Sequence, residues 1–497
     1  MTTPPSPSAD TQRSRFHAHP GAVLALACVA QFMVVLDVSV VNVALPSIGR
    51  DLHYSATGLQ WVVNAYVLTF AGFLLLGGRA ADLFGRRKVF LFGLLLFSAA
   101  SLWGGLSQSS GMLTAARAAQ GLGGAVLSPA TLTIIMTTFT EGERRNRALG
   151  AWSAVAGAGG AMGAIAGGLL TTYLSWRWVL FVNVPIGLLA GIATIIVLSE
   201  GRRPEAAGSL DIAGSLTVTG GLAVLVYAIV GTDTHAWTSG RTVGLLAVAA
   251  VLLVSFIVIQ ARFASAPLMP LGLFKIKAVS AANVVMLLVG SVFFAMWYFV
   301  SLYLQDVHGY GPLKTGLLFL PMSASVIVAA QTAGRLLTRV GSRALLVVGL
   351  VLAAAGFFWL SRLTATTGYA AGVLGGGVLL TLGVGLVFTP LATTATSGVH
   401  WTQAGLASGL LNTSRQVGGS LGLAVLATIA TDRTKTLAAA HAGAGAALTA
   451  GFDRAFAVGA VLAVVAALAA LALVPGRRPA GTPAVTPTGV TAPVGAD

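Results

Sequence analysis

Fourteen apolar stretches follow one another between residues 21 and 475, and they decide which solvent this chain folds in. About 20 apolar residues, wound at 1.5 Å per residue, match the hydrocarbon thickness of a bilayer. Lipid offers no hydrogen bonds, so each crossing segment must satisfy its own backbone, as a helix does. Only 9% of the residues are charged and 56% are hydrophobic. Soluble domains carry roughly 25% charged residues, so this chain could not dress a water-facing surface. The expected fold class is all-α integral membrane, with 14 transmembrane helices.

An even number of spans puts both termini on one side. Of the 29 Lys and Arg residues, 19 fall in the tails and in loops on the side of the termini, and 8 in loops on the other. The positive-inside bias then places both termini in the cytoplasm and the protein in the cytoplasmic membrane as a multi-pass chain. The +15 net charge is thus mostly a topology signal. Basic residues spread over short loops form no compact basic domain, so no nucleic-acid partner is expected. The single cysteine, Cys28, allows no disulfide within the chain. Residues 1–20 are polar and proline-rich, and 476–497 are rich in Pro, Ala and Thr. Both read as disordered cytoplasmic tails.

A repeat is visible within the chain. GRAADLFGRR (78–87) follows the second span and GRLLTRVGSR (334–343) follows the tenth. Gly78 aligns with Gly334, Arg79 with Arg335, Gly85 with Gly341 and Arg87 with Arg343, while Asp82 becomes Thr338. Two six-helix bundles, 21–200 and 278–475, account for this placement, with a linker of two additional helices in 201–277. Repeated halves suit a carrier that rocks about a site at their interface.

Charge inside lipid is the next signal. A charged side chain at mid-span costs roughly 2.5–3.5 kcal/mol on insertion scales, so such a residue is a functional candidate by default. Asp37 lies deep in the first span and Arg117 at a similar depth in the fourth. Burial opposes the carboxylate's charge and a nearby cation favours it. That balance lets Asp37 load and release a proton; the competing reading is a static ion pair. Arg117, Gln120, Gly124 and Ser128 share one helix face, and Ser408, Asn412, Arg415 and Gln416 share another on the thirteenth span. Such faces must turn inward in lipid. Arg415 has no deep acid in its own half. It meets either backbone carbonyls and Asn412, or an electron-rich group of a substrate. Gln60, Asn64, Gln120, Trp297, Ser301, Gln305, Asn412, Arg415 and Gln416 are the cavity candidates, the aromatic positions being equally readable as core. On the fifth span, Gly159, Gly163 and Gly167 recur at every fourth residue, with Gly160, Ala164 and Gly168 beside them. This smooth strip is read as helix packing.

Several strings together resemble the major facilitator superfamily, in particular its fourteen-helix drug:proton antiporter branch. They are LDVSVVNVALPSI (36–48), GGRAADLFGRRKVF (77–90), LTAARAAQGLGGAVLSPA (113–130), and GAGGAMGAIAGGLL (157–170) with SWRWVLFVNVPIG (175–187). YLQDVHGYGPLKTGLLFLP (303–321) and GLASGLLNTSRQVGGSLG (405–422) complete the set. The fifth-span string departs from the usual Gly-Pro, reading Gly163-Ala164. The resemblance implies proton-coupled export of lipophilic drugs or antibiotics by alternating access. It also implies a latch between the halves around Gly78, Asp82, Gly85, Arg86 and Arg87. The proton is the coupling ion, and no cofactor or metal is expected. The expected partners are a small lipophilic substrate, protons and the bilayer, with a monomer as the working unit. One deep carboxylate favours neutral or monocationic substrates over dications.

Two other carriers compete with this reading: an exporter of an endogenous metabolite and a non-coupled facilitator. A membrane enzyme is disfavoured. GGSLG (418–422) matches Gly-x-Ser-x-Gly but falls mid-span, and all seven histidines fall in loops or tails, forming no metal-binding cluster.

Overall fold

The structure, a computed structural model, describes residues 20–139, 143–198, 210–232, 234–400 and 403–476. Both expected tails lie outside these, apart from Pro20 and Gly476. Among the described residues, twelve helical segments are long and apolar enough to cross a membrane, and there is no strand. Two more helices, α5 (Glu143–Tyr173) and α15 (Ala404–Ala439), are 31 and 36 residues long. Length would let both cross, although Asn, Gln and Arg dilute the apolarity of α15.

The first helical group comprises α1 (Pro20–Asp51), α2 (Trp61–Phe84), α3 (Arg86–Gly105), α4 (Ser110–Thr138), α5, α6 (Trp178–Phe181) and α7 (Asn183–Val197). The second comprises α10 (Lys277–Leu302), α11 (Pro312–Leu318), α12 (Leu320–Val340), α13 (Ser342–Leu360), α14 (Gly375–Thr396), α15 and α16 (Ala444–Leu473). The sixth and tenth expected spans each arrive in two pieces, α6 with α7 and α11 with α12. In the first group α4 packs on α2 and α3, while α1 packs on α5. In the second, α14 packs on α12 and α13, and α15 on α10 and α16.

The repeat in the sequence is also a repeat in geometry. Gly85 separates α2 from α3 at φ +93°, and Gly341 separates α12 from α13 at φ +85°. Side chains other than glycine rarely adopt this region, so both sharp corners require glycine. Arg87 then donates from NH2 to the Ile195 carbonyl on α7 at 3.1 Å. Its counterpart Arg343 donates to the Leu471 carbonyl on α16. Each arginine ties the third span of its group to the end of the sixth.

Between the groups, α8 (Ile212–Gly231) and α9 (Gly240–Val258) form a hairpin. Its α8 lies against both α2 and α15, covering the line along which those two helices meet. Thr219 of α8 occupies the space where Gly72 lacks a side chain. Asp211 caps α8 by accepting the Gly214 N–H at 2.8 Å, and Gln260 donates to its other oxygen.

The two groups are joined at the membrane face opposite the termini, here called the far end. Ser301 Oγ donates to the Asn42 carbonyl at 2.9 Å, and Gln305 Nε2 to the Val43 carbonyl at 2.9 Å. The Leu313 N–H donates to Thr172 Oγ1 at 3.2 Å, and Arg50 stands 3.9 Å from Asp306.

Several helices run past the apolar stretches expected for them. Helix α1, expected over 21–46, continues through Pro46 to Asp51, and α15, expected over 404–430, continues to Ala439. Helix α16 begins at Ala444, ten residues before the expected stretch 454–475, because alanine-rich turns extend it past the apolar run. Asp453 therefore lies within that helix, at the edge of its apolar run.

Candidate functional site

Asp37 is fully buried on α1, and Arg117 on α4 is 2% exposed. Arg117 NH1 donates to Asp37 Oδ2 at 2.6 Å, an ion pair. The same nitrogen donates to Gln120 Oε1 at 2.6 Å, and Nε donates to the Val62 carbonyl on α2 at 3.0 Å. The guanidinium lies 4.5 Å from the ring centroid of Tyr66, also on α2. The planar fork is thus held on three sides, a role a lysine ammonium could not fill in the same way.

The second carboxylate oxygen of Asp37 is equally well served. It accepts from Gln120 Nε2 at 2.6 Å and from Asn183 Nδ2 at 2.9 Å. Both amides also donate to Ser101 Oγ on α3, at 2.6 and 3.3 Å. Helices α1, α4 and α7 therefore meet on one carboxylate, and Ser101 of α3 holds the two amides. The sequence reading placed Arg117 near Asp37 and put Gln120 on the same helix face as a cavity candidate, but singled out neither Asn183 nor Ser101. A signal for Asn183 existed: a lone amide in the apolar run VLFVNVPIG, two residues before a proline. That position coincides with the break between α6 and α7. Ser101 carried no such signal, because serine mid-helix commonly satisfies itself on a preceding carbonyl.

Glycine on α4 lets these groups converge. A Cβ at Gly121 would strike the Tyr66 carbonyl, and one at Gly124 would sit 3.0 Å from the Tyr66 hydroxyl. Gln60 and Asn64 on the first turn of α2 are fully buried, and Asn64 Nδ2 is 3.4 Å from Gln60 Oε1. Gln60 Nε2 and Asn64 Oδ1 have no partner.

The cavity candidates of the second group divide. Ser301 and Gln305 spend their donors on α1 carbonyls, so in this conformation they join the halves at the far end. That corrects their reading as free cavity walls; a polar side chain at a sealed interface is claimed by the nearest unpaired carbonyl. Trp297 belongs to an aromatic cluster with Phe293, Phe319 and Phe388, in edge-to-face contacts of 5.0–6.3 Å. Arg415 NH2 donates to Asn412 Oδ1 at 2.7 Å, and its guanidinium lies 5.9 Å from the Phe388 ring. Arg415 Nε and Gln416 Oε1 have no partner.

The glycine strip of α5 faces two partners. A Cβ at Gly159 would meet Val35 at 3.3 Å, one at Gly163 would fall on Ser39, and one at Gly167 would approach the Val40 carbonyl at 2.8 Å, all on α1. Gly168 instead faces Pro312 and Leu313 of α11, and the Ala164 carbonyl abuts Gly316 of α11. One smooth face of α5 packs within its group, while the other forms part of the seam between groups. Of the expected latch, Gly78 lies near Pro129, and Gly85 and Arg87 act as described above. Arg86 opens α3, and the Asp82 side chain lies outside what the structure describes.

Comparison with known proteins bears on what such a site serves. The family model described as Major Facilitator Superfamily matches residues 27–423. A cephamycin export protein of Amycolatopsis lactamdurans is 46% identical over 408 residues, covering 82% of this chain and 84% of that one. A puromycin resistance protein of Streptomyces alboniger is 42% identical over 447 residues, covering 89% and 88%. Among solved structures, a D-xylose-proton symporter superposes with a TM-score of 0.66 at 14% identity, covering 92% of this chain and 98% of that one. At that identity the likeness shows the fold alone.

Proposed function

The chain belongs to the Major Facilitator Superfamily of membrane transporters, and from that premise we propose that it exports lipophilic small molecules, antibiotics among them, in exchange for protons. The observation that carries the reading is the fully buried Asp37 carboxylate with its Arg117, Gln120 and Asn183 donors. A proton on Asp37 would cancel the attraction for Arg117 and turn one acceptor oxygen into a donor. The guanidinium would then lose its countercharge. Four helices whose side chains form one network around this carboxylate would shift together, which is how a local protonation can bias a bistable packing.

The same proposal includes fourteen spans, with α5 and α15 crossing beside the twelve apolar helical segments, and both termini in the cytoplasm. The far end is then the outer face, and its contacts close that side while the inner side admits substrate. Alternating access requires the α5–α11 seam and the carbonyl bonds of Ser301 and Gln305 to open in turn. Repacking of smooth helix faces suits this, because no interdigitated side chains have to withdraw.

The reading is tested in everted membrane vesicles with an acidified lumen. Addition of an exported compound, from a panel that includes a cephamycin and puromycin, is expected to release protons from the lumen. Export without proton movement would replace antiport by facilitated diffusion, and export of none of the panel would remove the drug-efflux reading.

Arg117 provides a second test. Arg117→Ala removes the cation and leaves the Asp37 charge buried alone, at a cost of about 3–5 kcal/mol if it stays ionised. Export should therefore be lost. Arg117→Lys keeps the charge but loses the Nε bond to Val62 and the stacking on Tyr66, so it should retain part of the activity. Equal transport by wild type and both variants, measured per folded molecule in proteoliposomes, would dissociate the pair from coupling.

A further inference from the structure

Arg117 and Arg415 both sit away from the ends of their helices, one in each group, and only Arg117 is paired with a carboxylate. Arg117 is paired with Asp37. Among the described residues no carboxylate lies within 4 Å of Arg415, whose one hydrogen bond goes to the neutral Asn412 and whose Nε is buried without a partner. A guanidinium stays protonated under any condition a protein meets. An isolated charge in a low-dielectric interior is strongly unfavourable unless water or a counter-ion answers it. The distant Phe388 ring, at 5.9 Å, is a weak substitute.

The surroundings of Arg415 are rigid and selective. Gly290 of α10 closes directly on the Arg415 carbonyl, so the backbone of α15 cannot shift sideways there. The residue before it, Ser414, donates from Oγ to Asn283 Oδ1 of α10 at 2.7 Å. The side chain of Arg415 is partly exposed and points along the edge-to-face cluster of Phe293, Trp297 and Phe388. Gln416, the next residue, keeps a buried oxygen with no donor. A free two-pronged donor, a free acceptor and an aromatic wall stand together in the second group.

We propose that Arg415 is the recognition point for a carboxylate on the substrate, so that the preferred substrates are lipophilic aromatic acids. This rests on the export reading and names its substrate class. It also alters the sequence-based expectation of neutral or monocationic substrates. The charge of Asp37 is consumed by Arg117, so that carboxylate is not free for a cationic drug, whereas Arg415 offers parallel N–H donors that a carboxylate accepts in pairs. Gln416 Oε1 accepts an N–H or O–H from the same molecule, and the ring stacks on the cluster.

Equilibrium binding to the purified full-length protein tests this with two probes of one skeleton, 1-pyrenebutyrate and its uncharged N-methylamide, against a protein-free detergent blank. Wild type is expected to bind the carboxylate at least about tenfold more tightly, equivalent to about 1.4 kcal/mol. Arg415→Gln should remove the difference by weakening carboxylate binding and leaving the amide unchanged, and Arg415→Lys should restore part of it. Equal affinity of wild type for both probes, or binding of neither, overturns the proposal without any variant. So does an equal loss of both probes in Arg415→Gln, which would mark a structural role. Failure of the export reading shows separately, in the vesicle assay.

Discussion

Asp37→Asn is expected to abolish export driven by a pH gradient while leaving substrate binding in place. Asparagine has the shape of the carboxylate but cannot exchange a proton. The surrounding amides can adapt, because Gln120 and Asn183 can each present oxygen instead of nitrogen by rotating the terminal group. What cannot adapt is Arg117, which loses its countercharge; removing one partner of a buried pair costs about 3–5 kcal/mol. The variant should therefore insert, since insertion follows apolarity, yet melt at a lower temperature. Transport is to be compared per monodisperse molecule in proteoliposomes with an imposed pH gradient. Normal pumping there would show that the carboxylate does not couple, and the Asp37–Arg117 pair would revert to a static structural contact.

Gly163→Leu should be nearly as damaging for a different reason. A Cβ at Gly163 falls on the Ser39 side chain and lies 3.0 Å from the Leu36 carbonyl, so neither backbone nor neighbour can make room cheaply. Overpacking of a tight contact costs about 1–3 kcal/mol, and a leucine adds three carbons beyond the Cβ. The strain is relieved only by moving α5 away from α1. That movement drives its opposite face, at Ala164 and Gly168, into Gly316 and Leu313 of α11. Transport per inserted molecule should fall to the background of protein-free liposomes. Met162→Leu is the matched control: Met162 is next in sequence, 54% exposed, and on the outward side of the helix, so it should transport normally. Normal transport by Gly163→Leu would mean that the glycine strip faces lipid.

Much of this architecture could be read without coordinates. Hydropathy reports the solvent directly, because lipid tolerates only self-satisfied helices. The repeat was legible because a positive-φ corner demands glycine wherever it recurs, so Gly85 and Gly341 mark the same turn in both groups. Asp37 and Arg117 stood out because charge in lipid is expensive whatever the fold.

The sequence by itself thus determined the solvent, the helices, the twofold organisation and the two most costly side chains, since each is a local property of residue type and spacing. Only the tertiary structure decided which groups meet. A helix can rotate about its axis without changing its sequence, and small rotations select different partners. That choice brought Asn183 and Ser101 to Asp37, turned one face of α5 to α1 and the other to α11, and assigned Ser301 and Gln305 to the far-end seam. The same packing left Arg415 with no carboxylate beside it among the described residues. Pairing across 80 or more residues of chain depends on how many helices pack at once, and no short window of sequence contains that information.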